Sequence, residues 1–230
     1  TINNKRLALL VANADYKISP LKNPINDLKL LEKVLKEVGF EVIKAKNVSR
    51  KEFRIVLSNF REKLKSYGDK TDALFYYSGH GMQYEGTNFL IPIGSDIETE
   101  FDLDDETISQ NRIFSALEPI YYGAKIILLD ACRNSGFRSI FRSNEKGLAL
   151  MSTITGTVIG YATAPGEVAL DGEGKNSPFA MALTEAILIP GIDIEAVLRK
   201  TRKKVFEATN GKQIPWTSSS ITNDFYFIPE

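Results

Sequence analysis

Four short, unbroken apolar runs constrain this chain more than any other feature: RLALLVA at Arg6 to Ala12, DALFYYS at Asp72 to Ser78, KIILLD at Lys125 to Asp130 and TVIGYA at Thr157 to Ala162. A run with no polar face needs cover on both sides, which is the condition of a strand inside a parallel sheet. Between the runs lie amphipathic helices. Pro24 stands as a first helical residue, Leu28, Leu31, Leu35 and Val38 share a face, and Gly39 supplies the stop. Ser49 and Glu52 form a capping box ahead of Phe53, Val56, Leu57, Phe60 and Leu64.

Phe40 to Ala45 reads as the strand between these helices, and further helices begin near Asn111, Ser177-Pro178 and Asp193. Tyr84 to Ile93 reads as an inserted hairpin turning at Glu85-Gly86, and Phe225 to Ile228 as a short closing strand. Strand and helix alternate throughout, so the expectation is α/β. One domain over residues 1–230 should hold a mostly parallel six-stranded sheet with helices on both faces. In such folds ligands bind beyond the carboxyl ends of the strands.

Composition narrows the function. Across 230 residues, 29 basic and 29 acidic side chains cancel, so no global field is available to hold nucleic acid or an anionic membrane surface. No apolar run approaches the ~20 residues of a membrane-spanning helix. The single Cys and single His exclude an intramolecular disulfide and a Cys/His zinc site. A start at Thr1 rather than Met suggests a trimmed chain with flanking domains, and a cytoplasmic setting is expected.

The lone imidazole and the lone thiol both fall where the sheet should carry chemistry. His80 follows the Asp72 to Ser78 run inside Ser78-Gly79-His80-Gly81, and Cys132 follows the Lys125 to Asp130 run inside Asp130-Ala131-Cys132-Arg133. A thiol nucleophile needs a base that takes its proton and returns it to a leaving amine, and histidine has a suitable pKa. Gly79 and Gly81 would let backbone approach a substrate closely. Taken singly, a buried Cys and a core His are common. As a pair at neighbouring strand ends they point to nucleophilic catalysis.

At Tyr77 to Gly81 and Leu129 to Arg133 the chain resembles the caspase-like cysteine peptidases, especially the prokaryotic, orthocaspase-type relatives of metacaspases and paracaspases. The likeness extends to the Arg6 to Asn13 strand, to Leu21 to Asp27 and to Gly160 to Glu167. It implies His80 as general base and acid, Cys132 as nucleophile, and the backbone N–H groups of Gly81 and Cys132 as the oxyanion hole. No cofactor is required on this reading.

The resemblance also bears on specificity. Caspases that cut after aspartate carry glutamine where this chain has Asp130, whereas metacaspases and paracaspases carry aspartate there and cleave after Arg or Lys. It adds Asp27 and Asp171 as further acids of the substrate pocket and Ser78 as its wall. An acid in a first helical turn is favourable on other grounds, and Asp171-Gly172-Glu173-Gly174 reads equally as a solvated turn.

The loop from Arg133 to Gly147 corresponds to the segment where caspases are cut, making Arg138, Arg142 and Lys146 candidate self-cleavage sites. Asp96, Asp104 and Asp105 sit in an acidic loop resembling part of the calcium site of some metacaspases, so activation by Ca²⁺ is one reading and a solvated loop the other. Trp216 could flank the substrate groove or simply pack. The expected partner is a protein or peptide with Arg or Lys before the cut bond, and a homodimer through the closing strand is compatible. Two rival functions stand: a caspase-like interaction module without activity, and a cysteine phosphatase, because Cys132, five residues, Arg138 and Ser139 match C-x5-R-S.

Overall fold

The computed structural model describes residues 4–132, 148–150, 154–165, 167, 169–172 and 174–230, Cys132 by its backbone alone. Strand β1 (Arg6–Ala12) leads through helix α1 (Pro24–Glu37) to β2 (Glu41–Lys46), and α2 (Arg50–Tyr67) returns the chain to β3 (Asp72–Tyr84). After β4 (Thr87–Leu90), a 3-10 turn, α3 (Leu103–Glu106), β5 (Ile108–Ser109) and α4 (Gln110–Leu117) come β6 (Lys125–Cys132) and β7 (Thr157–Tyr161). Helices α5 (Pro178–Ile187) and α6 (Ile194–Ala208) precede β8 (Trp216–Ser219).

The order along the main path is β2-β1-β3-β6-β7-β8, parallel from β2 to β7 and antiparallel at β8. With β4 and β5 attached beside β3 the sheet has 8 strands among the described residues, not the six expected. The hairpin turns where the sequence places it, with positive φ at both Glu85 and Gly86. Two cores result, one per face. Leu28, Leu31 and Leu35 of α1 pack with α5, α6 and the residues Leu74, Tyr76, Ile126 and Leu128, while Phe53, Leu57, Phe60 and Leu64 of α2 pack with α4 on the other face. Each such fully buried leucine is worth roughly 1.5–3 kcal/mol.

The capping box forms: Ser49 N–H donates to Glu52 Oε2 at 2.8 Å and Ser49 Oγ accepts from the Glu52 N–H. No helix among the described residues is long and apolar enough to cross a membrane. Two expectations fail. Phe225 to Ile228 is not a strand; it makes an isolated bridge between Tyr226 and Asp193, with Phe225 and Phe227 buried against Phe40 and two carbonyls taken by Arg6. The closing strand is instead Trp216–Ser219. Nor does β3 stop at Ser78: it runs on through Gly79-His80-Gly81 to Tyr84, changing partners as it goes.

Candidate active site

Beyond β1 the chain goes one way to β2, and from β3 it steps the other way to β6, so the crevice at the carboxyl ends of β1 and β3 is a topological switch point. His80 stands there. In the β3–β6 register Ser78 is opposite Asp130 and His80 opposite Cys132, the last residue of β6. The two residue types read as a dyad thus lie at adjacent positions on adjacent parallel strands. Gly81 is the first residue paired with β4, opposite Leu90.

The β1–α1 loop holds the imidazole. His80 is 1% exposed, its ring lies against Tyr16 with centroids 4.3 Å apart, and its Nε2 is 2.7 Å from the Ser19 carbonyl oxygen. A carbonyl only accepts, so Nε2 carries the proton and Nδ1 is the basic nitrogen. Ser19 makes this contact with φ at 54°, in the left-handed region.

Two tyrosine hydroxyls bridge β3 to the segment after β4, whose Ile91 N–H also donates to the His80 carbonyl at 2.9 Å. Tyr16 Oη accepts the His80 N–H at 2.9 Å and donates to the Ile91 carbonyl at 2.8 Å, and Tyr77 Oη donates to the His80 carbonyl at 2.7 Å. A Cβ at residue 79 would lie 2.6 Å from the Tyr77 hydroxyl and 2.7 Å from that of Tyr16. Glycine at 79 therefore makes room for these hydroxyls rather than for a substrate.

The predicted pocket acids come together on the α1/α5 face. Asp27 and Asp130 are both buried, at 0% and 1% exposure. Asp27 Oδ1 accepts from Asn176 Nδ2 at 2.8 Å and the Ser177 N–H at 2.9 Å; Asp130 Oδ2 accepts from Ser177 Oγ at 2.5 Å and Tyr76 Oη at 3.4 Å. The other oxygen of each, Asp27 Oδ2 and Asp130 Oδ1, is buried with no hydrogen-bond partner among the described residues. Burial, and then repulsion from Asp171, pushes Asp27 up to about 6, and burial, then repulsion from Asp27 and Asp171, pushes Asp130 up to about 8.

Asp171 behaves differently. Its two oxygens accept the N–H groups of Lys22 and Asn23 at 2.8 and 3.2 Å, so it straps the loop after β7 to the start of α1. Asn23, at the cap position, spends its amide on the carbonyls of Asp171 and Gly172 instead of capping the helix. Ser78 is buried, opposite Asp130 in the β3–β6 register.

The caspase domain family model matches residues 5–226. The chain belongs to the caspase-domain family. It is also similar to mucosa-associated lymphoid tissue lymphoma translocation protein 1 of Homo sapiens, 28% identical over 169 residues, covering 72% of this chain and 19% of the relative. Its homolog in Mus musculus matches with the same identity and coverage, 28%, 72% and 19%. The chain thus spans about a fifth of the length of these curated relatives.

Several residues of this caspase domain that contact the candidate site escape sequence reading. Tyr16 and Ser19 sit in an unpatterned loop, and a carbonyl ligand to an imidazole leaves no trace in residue type. Ser177 reads only as a helix start. Trp216 is 43% exposed on β8, opposite Tyr161, so it is not simply packed.

The acidic loop around Asp96, Asp104 and Asp105 makes local contacts of its own. Among the described residues no group of three or more His, Cys, Asp or Glu could hold a metal ion. Arg50 donates to the Asp104 carbonyl and lies 4.0 Å from Asp105, while Asp102 and Glu106 accept backbone N–H groups of their own loop. Arg138, Arg142 and Lys146 lie outside the described residues.

Proposed function

We propose that this caspase domain is a cysteine endopeptidase that cleaves after arginine or lysine through a Cys132–His80 dyad. The observation that carries the reading is the β3–β6 register: His80 opposite Cys132 and, two residues earlier, Ser78 opposite Asp130. On this reading the base, the nucleophile and an acidic recognition group share the carboxyl ends of two neighbouring central strands.

His80, held through Nε2 by Ser19, receives the Cys132 thiol proton on Nδ1. The thiolate adds to the substrate carbonyl carbon, and the N–H groups of Gly81 and Cys132 receive the developing oxyanion. The C–N bond breaks as the imidazolium returns the proton to the leaving amine, and water then hydrolyses the thioester. Asp27 and Asp130 each offer a cationic side chain one oxygen without a donor among the described residues. Such a partner would lift the desolvation that now disfavours their charge.

The test is a set of fluorogenic peptides with Arg, Lys or Asp before the scissile bond, with an aryl phosphate alongside, assayed on the parent and on Cys132→Ala. Basic peptides should turn over and the variant should lose at least about 10³-fold in kcat. Faster cleavage after Asp would refute the acidic pocket, and phosphate release alone would favour the phosphatase. Intact mass of the active protein checks cutting at Arg138, Arg142 or Lys146.

A further inference from the structure

Ser177 meets both pocket acids at once. Its hydroxyl donates to Asp130 Oδ2 at 2.5 Å, and its N–H donates to Asp27 Oδ1 at 2.9 Å. Ser177 Oγ also accepts the Ala180 N–H at 3.0 Å, capping α5. A hydroxyl has one proton to give and lone pairs to receive, so the cap uses a lone pair and leaves the proton for Asp130. A carboxylate cap would do only the first of these jobs. Ser177 is 2% exposed, so neither contact is shared with solvent.

We propose that Ser177 is a specificity-determining positioning residue: by engaging one oxygen of Asp130 and one of Asp27, it turns the remaining oxygen of each toward the substrate's basic side chain. The inference rests on the acidic-pocket reading above. It follows from the bonding inventory. Each acid has one oxygen tied to Ser177 and one without a donor among the described residues, and the latter are the two oxygens left to meet a cation. The helix beginning at Ser177 thereby fixes two carboxylates from different elements, α1 and β6, whose mutual repulsion would otherwise drive them apart. Donation from a hydroxyl also favours the charged form of Asp130, the form that a guanidinium or ammonium recognises.

The experiment compares Ser177→Ala, Ser177→Gly and Ser177→Thr with the parent and with Asp193→Ala, on the whole chain. Glycine is tolerated at a cap, so Ser177→Gly removes the hydroxyl while keeping the helix start. Asp193→Ala removes the cap of α6, where Asp193 Oδ1 accepts the Ala196 N–H at 2.7 Å, without touching the pocket. Loss of the hydroxyl should raise KM for an Arg peptide about tenfold with kcat within about twofold. The acid limb of kcat/KM should move up by about one pH unit, because Asp130 then holds its proton more tightly.

The ionisable groups facing Asp130 are Asp27 from α1, Tyr76 from β3 and Asp171 from the loop after β7, and none of the variants replaces any of them. Ser177→Thr should restore the parent KM, and Asp193→Ala should leave both KM and the limb unchanged. If Ser177→Gly and Ser177→Ala keep the parent KM and pH limb while the parent cleaves Arg peptides, Ser177 is only a cap and the inference is wrong. If Asp193→Ala moves KM equally, the effect is loss of stability and the inference is again wrong. A parent that prefers Asp peptides overturns the pocket reading itself, an outcome visible before any variant is made.

Discussion

Opposite ends of the sheet bury charge in opposite ways. At the amino end Arg6 donates to the carbonyls of Val38, Phe227 and Tyr226 at 2.6 to 2.9 Å, and its Nε is 3.8 Å from Asp72. Its guanidinium also lies over the rings of Phe40 and Phe225, and Asp72 Oδ1 accepts the Ala124 N–H. At the carboxyl end Asp27 and Asp130 each keep an oxygen with no donor among the described residues, in a cluster of like sign. Satisfied charge ties the chain's last residues to β1 and α1. On the proposed function the unpartnered oxygens await a cation from outside, so one end would serve stability and the other recognition.

The contrast breaks most sharply at Asp130. Asp130→Asn should lower kcat/KM for Arg peptides by roughly 10²-fold, the cost of leaving a substrate charge unpartnered. The same change should stabilise the fold at alkaline pH. Burial lifts the folded-state pKa of Asp130 from 3.8 to about 8, so between those values the folded protein retains a proton that the unfolded chain releases. Stability contributed by the protonated form is complete below about pH 4 and is lost as pH rises through the folded value. Thermal unfolding should show Asp130→Asn raising Tm by roughly 5–10 °C at pH 8 and by little near pH 4.

Arg6→Ala should do the reverse. Stranding three carbonyls and a carboxylate costs about 3 kcal/mol, or a Tm lower by roughly 6–12 °C, while kcat/KM measured below the transition stays within about twofold of the parent. The smallest effect is expected at Asp72→Asn. The amide oxygen still accepts the Ala124 N–H and only a long ion pair is lost, so Tm should fall by about 2–4 °C and activity should not move. A drop in Arg-peptide cleavage in either variant would mean that the two ends are coupled rather than separate.

The four apolar runs, the capping box and the glycine turn at residue 86 were readable because each is a local pattern with a local cause. The proposed dyad can be nominated from sequence because one imidazole and one thiol leave no competitors. The strand ends were harder. Gly79 and Gly81 look like a break, yet β3 continues through them because the tyrosine hydroxyls occupy the space that a side chain at 79 would need. Phe225 to Ile228 has strand-like composition but gives its apolar side chains to Phe40 and its carbonyls to Arg6, while the polar segment at Trp216 takes the sheet edge. Asp27 reads in the sequence as a first-turn acid or a pocket acid; its burial comes from α5 and the loop before it, which close over α1 from about 150 residues away.

The Tyr16 hydroxyl beside His80 changes what can be observed at that residue. The His80 amide hydrogen is guarded by a hydroxyl from the β1–α1 loop and not by the neighbouring strand. Its exchange with deuterated water therefore follows excursions of that loop, while amides deeper in β3 follow opening of the sheet. A single backbone position thus separates the opening free energy of the loop that orients the base from the global stability of the fold.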